Sequence, residues 1–151
     1  ALRRGLKPAL MAAFIWGILH FPASQVVYLS VVQVLIEYPI AFTFAGFAGL
    51  YAKKVQKALS ERDMRSVRRN IVFGTFIGTG ARFFWHFFAG VVFWGSYAFW
   101  GMNPWIFSLV MNGVSGLATA VVTAIVAVVV AEKAPQLYLP KDRHLIQKQS
   151  H

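Results

Sequence analysis

Charge and apolarity are segregated along this chain, and that segregation leaves it few ways to fold. Of its 151 residues 58% are hydrophobic and only 13% charged, where soluble domains carry about a quarter charged residues. The basic residues gather at Arg3, Arg4 and Lys7, between Lys53 and Arg69, and from Lys133 to Lys148. Apolar runs fill the intervals. Such runs belong in a bilayer, where helices satisfy every backbone polar group internally. We therefore expect one all-α domain, a polytopic transmembrane helix bundle. The net charge of +10 would point to nucleic acid in a soluble protein. Here the basic residues occupy the hydrophilic gaps and ends, as the positive-inside rule requires, and no nucleic-acid partner is expected. The absence of cysteine excludes disulfides and thiolate metal sites. No catalytic motif is present, so neither an enzyme nor a metal or cofactor site is indicated.

Four spans can be read, at about residues 8–21, 25–51, 71–93 and 105–130. The first is short for a crossing, which takes roughly 20 residues. The third carries the pattern Gly74-x-x-x-Gly78, which lets helices approach closely. Residues 53–70 hold seven basic residues and read as a cytoplasmic loop, with Ser60 as the cap of a helix start. The uncharged connections at residues 22–24 and 94–104 then lie outside, and both termini of the chain are cytoplasmic. No cleavable signal peptide is visible.

Glu37 is the sole carboxylate inside an apolar run. A charge at the centre of a bilayer helix costs about 2.5–3.5 kcal/mol on insertion scales, so something must offset it. Pro39, two residues on, removes a backbone donor and is expected to kink the helix and open a pocket there. Half of the 24 aromatic residues fall between Phe83 and Phe107. A carboxylate among ring faces suits a cationic, planar ligand. Other polar groups at membrane depth are candidates for the same site. His86 shares a helix face with Arg82, which we expect to cap carbonyls or snorkel. Ser30, Gln33 and Glu37 form one polar stripe, and Ser108, Asn112, Ser115 and Thr119 another. Trp94 sits where a helix meets an outer loop. Trp16 suits either ligand stacking or bundle packing.

The runs Leu2–Lys7, Trp16–Gly17, Glu37–Phe42, Gly46–Gly49, Arg82–Gly90, Val92–Ala98 and Asn112–Gly113 resemble the thiamine-specific S-component of energy-coupling factor transporters. The resemblance covers nearly the whole chain. It implies a high-affinity thiamine-binding subunit in a bacterial cytoplasmic membrane. It also implies a six-helix fold, of which this chain carries four spans and lacks the first two helices. Its implied partners are thiamine, a transmembrane coupling protein and two cytoplasmic ATPases. By resemblance the ligand-binding residues are Trp16, Glu37, Tyr38, His86, Trp94 and Asn112. The family's tyrosine five residues before that asparagine is Phe107 here, and Tyr28 or Tyr97 are further candidates to supply its hydroxyl. No external arginine cluster is seen, so free thiamine is expected over its phosphates.

Two other readings compete. A proton-coupled exporter of aromatic cations, like small multidrug resistance proteins, also has four helices and one membrane glutamate. Its glutamate, however, lies on the first helix and its loops are short. A non-transporting assembly protein would instead pair Glu37 with Arg82 or His86 as a structural ion pair.

Overall fold

The structure is a computed structural model and describes residues 1–23 and 26–140. Four helical runs make up the bundle. Helix α1 is Leu6–Leu19, α2 is Val31–Ser60, α3 is Met64–Phe93 and α4 is Pro104–Lys133. Short 3₁₀ turns follow at Gly95–Tyr97 and Pro135–Tyr138. Among the described residues there are no strands.

Helices α2, α3 and α4 have 30 residues each and are apolar enough to cross a membrane; at 1.5 Å per residue each is about 45 Å long. The 14 residues of α1 reach only about 21 Å, short of the ~30 Å hydrocarbon core. The start expected at Gln25 lies outside the described residues, and the helix proper begins at Val31. The outward faces suit lipid: Val114, Leu117, Val122 and Ile125 on α4 are all about 60% exposed or more within the molecule, from 58% to 66%.

The basic stretch 53–70 departs from its expected loop form. It is helical on both sides of a three-residue turn at residues 61–63. Ser60 does not start a helix but ends one, its hydroxyl donating to the Gln56 carbonyl at 3.0 Å. The cap of α3 is Asp63, whose Oδ1 accepts from the Ser66 amide at 3.0 Å. The physical reason is that long Lys and Arg side chains extend a helix into the polar zone as readily as they line a loop. Of the C-terminal basic cluster, residues 141–151 lie outside the described residues.

Close helix contacts depend on small residues. A Cβ on Gly46 would come within 2.7 Å of the Leu10 backbone, and one on Gly78 within 2.6 Å of the Ala45 carbonyl. Thus α1 and α3 both lean on the same tightly wound part of α2 (Gly46–Tyr51). At the basic end Val55, Val67 and Ile71 are fully buried with Ala131 and Tyr138. The Tyr138 hydroxyl donates to the Ala127 carbonyl at 2.7 Å, tying the 3₁₀ turn back onto α4. Arg68 and Glu132 close the α3–α4 pair with a 2.7 Å ion pair. These contacts fix the basic end and leave the polar residues of the opposite half to shape a cavity.

Candidate functional site

Helix α2 changes its winding at Glu37. Residues Ile36–Ile40 form a π turn around Pro39, followed by α winding over Ala41–Ala45. A proline cannot donate its share of the ladder. The wider π winding absorbs that loss, and such turns gather at functional sites. The Thr43 hydroxyl donates to the Pro39 carbonyl at 2.5 Å. The expected disturbance at Pro39 is therefore a change of winding. It brings Glu37, Pro39 and Ala41 to the buried side together.

Glu37 is 8% exposed. One carboxylate oxygen accepts the Trp94 indole N–H at 2.5 Å. The other accepts from the Gln33 amide. Among the described residues no Lys, Arg or His forms an ion pair with it, so the structural ion pair with Arg82 or His86 is absent. Gln33 is fully buried. Its Nε2 also donates to the Val27 carbonyl at 3.1 Å, and its Oε1 accepts the Leu29 amide at 3.1 Å. Tyr38 accepts the Val27 amide at 3.0 Å through its hydroxyl. The segment leading into α2 is thereby tied to the carboxylate's own turn. Ser30, the first residue of the polar stripe, caps α2, its hydroxyl accepting from the Gln33 backbone N–H at 3.1 Å.

Glu37, His86, Trp94, Phe107 and Asn112 line one cavity of 280 Å³, together with Gly90 and Met111. Three helices thus supply it. From α3, His86 and Trp94 stand on either side of Gly90. A Cβ on Gly90 would overlap the Ser108 hydroxyl and lie 2.8 Å from Asn112 Nδ2; glycine leaves that room. From α4, Ser108 donates to the Phe87 carbonyl at 2.7 Å and accepts from Asn112 Nδ2 at 3.1 Å. That contact orients the Asn112 amide. His86 accepts through Nε2 from Arg82 Nε at 3.2 Å, so a neutral ring carries its proton on Nδ1.

Among the described residues the Arg82 side chain donates a hydrogen bond to His86 and none to a carbonyl. Its guanidinium lies 3.9 Å from the Phe42 ring centroid and 5.6 Å from that of Trp16, a cation–π arrangement. Trp16 meets Phe42 edge-on at 4.6 Å and lines a neighbouring cavity of 510 Å³ with Arg82 and Thr79. The aromatic wall continues with Phe42 against His86 at 6.2 Å. Trp16 and Tyr38 therefore stand behind the carboxylate's cavity, while Glu37, His86, Trp94, Phe107 and Asn112 face it. Tyr28 and Tyr97 are 67% and 58% exposed and do not line it. Tyr97 lies against Trp94, at 5.6 Å between ring centroids. Gln33 enters the sequence reading only within a polar stripe. Its spacing of four residues from Glu37 in an apolar run is the signal that marks it as the carboxylate's partner.

Comparison with known proteins places this arrangement in a family. Residues 1–139 match the family described as Thiamine transporter protein. The chain is 44% identical over 145 residues to the thiamine transporter ThiT of Lacticaseibacillus paracasei, covering 94% of this chain and 72% of that protein. It is 30% identical over 137 residues to ThiT of Bacillus subtilis, covering 91% and 71% respectively. A solved structure of ThiT from Listeria monocytogenes superposes with a TM-score of 0.90 at 40% identity, covering 93% of this chain and 76% of that one. The named relatives are transporters, not enzymes. With the match running through all four helices, the chain belongs to the thiamine transporter family and is a multi-pass membrane protein.

Proposed function

We propose that this chain captures thiamine from outside the cell through Glu37 and the aromatic and amide groups around it. The observation that carries this reading is the buried Glu37 at a cavity, its carboxylate held by two N–H donors and paired with no cation among the described residues. Thiamine carries a permanently cationic thiazolium, so proton loss cannot relieve its charge on entering the site. A cation and a carboxylate desolvated together attract strongly, and close interfacial charge pairs show couplings of about 1.5–7 kcal/mol. Each ring face adds about 0.5–2 kcal/mol. Nanomolar capture needs about −12 kcal/mol, so neither contribution suffices alone. Trp94 has two tasks here, donating to Glu37 and offering its ring; His86 and Asn112 supply polar edges for the pyrimidine.

The resemblance supports the rest of the assignment. The chain acts as the substrate-binding subunit of an energy-coupling factor transporter, docking on a transmembrane coupling protein driven by two ATPases. It sits in a bacterial cytoplasmic membrane with its basic end, and both termini of this chain, inside. No Lys or Arg lines the 280 Å³ cavity; Arg82 lines an adjoining one with His86 and Asn112, its Nε committed to His86, so a diphosphate gains no direct cation beside Glu37. We expect free thiamine to bind at least about tenfold more tightly than thiamine diphosphate, because an anion placed without a cation keeps its desolvation cost.

A tryptophan-fluorescence titration of the purified protein tests the proposal. Saturable quenching by thiamine that falls sharply in Trp94→Phe supports it. A folded wild-type protein that shows neither quenching nor heat on mixing with thiamine refutes it.

A further inference from the structure

The corner where α2 turns into α3 holds a second cavity, of 470 Å³, well away from the carboxylate. Its polar lining is Lys54, Lys57, Glu61, Ser66, Arg69 and Asn70. Glu61 is the one acid among these, and it already pairs with Lys57 at 3.8 Å. Lys54, Lys57 and Arg69 face the same space against Glu61, with Asp63 near Arg69, so the lining keeps an excess of positive charge. Arg69 reaches the Ser66 hydroxyl at 3.4 Å, and the Lys54 ammonium stands 4.8 Å from the Tyr51 ring centroid. Hydroxyl and amide donors from Ser66 and Asn70 complete an oxyanion-binding set.

The position of this cavity decides what can fill it. Tyr51 and Phe73 stack at 6.4 Å where the apolar part of each helix meets its basic part, the depth at which aromatic belts form. One turn further into the membrane, Phe76 and Ile77 continue the Phe73 face, and Phe73, Phe76, Ile77 and Leu50 are between 39% and 53% exposed. The cations and donors are thus continuous with an apolar strip on the lipid side. Basic pockets of this kind on the basic side of a bundle suit anionic lipid headgroups.

We propose that this corner is a specific site for an anionic phospholipid, its phosphodiester on Lys54, Arg69, Ser66 and Asn70 and its acyl chains along Phe73, Phe76 and Leu50. Occupancy pins the α2–α3 turn at the membrane surface. The site does not depend on the thiamine reading.

The test is native mass spectrometry of the detergent-purified full chain titrated with phosphatidylglycerol or phosphatidylcholine, with inorganic phosphate added as competitor. We expect phosphatidylglycerol to bind preferentially and its apparent affinity to fall about tenfold or more in K54Q/R69Q. The control K53Q/R65Q removes the same charge outside the cavity and should leave binding within about twofold of wild type. Equal losses in both double variants would show only diffuse surface attraction and overturn the proposal. So would equal binding of the two lipids, or displacement of phosphatidylglycerol by millimolar phosphate. Should K54Q/R69Q fail to fold, Asn70→Asp carries the test by placing a like charge against the headgroup; unchanged phosphatidylglycerol binding in that variant contradicts the site.

Discussion

Glu37 organises the site because a carboxylate in an apolar run cannot be left without partners. Its surroundings show how that requirement is met without neutralising it. Gln33 and Trp94 supply neutral N–H donors from two helices, which hold the carboxylate in place and leave its charge to a ligand. This arrangement predicts that Gln33→Leu weakens thiamine binding by about tenfold or more, since a hydrogen bond to a charged group contributes about 1.5–3 kcal/mol. The same change should lower the melting temperature, because the Val27 carbonyl and Leu29 amide lose their partner as well. Isothermal titration and a thermal scan of one preparation read both effects. Glu37 was legible in the sequence from charge alone, and His86 and Asn112 from their depth. The role of Arg82 was not. Sequence spacing placed it near His86, but only tertiary packing reveals the Phe42 ring beneath its guanidinium.

At the scale of elements, the π turn of α2 shapes the proposed site and the glycine contacts bring the helices together. Pro39→Ala restores a donor and lets α2 rewind as regular helix, which rotates Glu37 against Gln33 and Trp94. We expect thiamine affinity to fall by about tenfold, a consequence of misplacing a charge contact, with little loss of thermal stability. Gly78→Val should do the reverse. Its side chain would meet the Ala45 carbonyl and the Ala48 backbone. Forcing α2 and α3 apart should cost about 1–3 kcal/mol of stability, read as a lower melting temperature in detergent. Helix existence was legible from the apolar runs, and Gly78 from its small-residue spacing. The basic stretch 53–70 was not, because polarity and helicity are separate properties. A charge-rich segment reads as a loop, whereas Ala52–Ser60 and the start of α3 continue two helices through it.

For the whole molecule, the basic end is tied by the Arg68–Glu132 ion pair and the Tyr138 hydroxyl, and the opposite half holds the cavity lined by Glu37. The proposed capture subunit and a proton-coupled exporter differ in what they require of that carboxylate. An exporter exchanges its glutamate's proton for the substrate. A capture subunit binds thiamine to a carboxylate already committed to two N–H donors. We predict that thiamine binding between pH 6 and 8 shows no change in affinity beyond about twofold and no net proton release, measured by calorimetry in buffers of differing ionisation enthalpy. Overall architecture was the most legible property of this sequence, since segregated charge leaves a bilayer bundle as the only consistent fold.

The central claim is that the charge on Glu37 recognises the charge on the thiazolium. A double-mutant cycle measures it directly, using wild type and Glu37→Gln against thiamine and an uncharged thiophene isostere of thiamine. We predict that Glu37→Gln weakens thiamine by about thirtyfold or more, equivalent to about 2 kcal/mol of coupling, and changes isostere binding by less than about threefold. Equal losses for both ligands, in protein with unaltered thermal stability, would contradict charge recognition and leave Glu37 as a structural group.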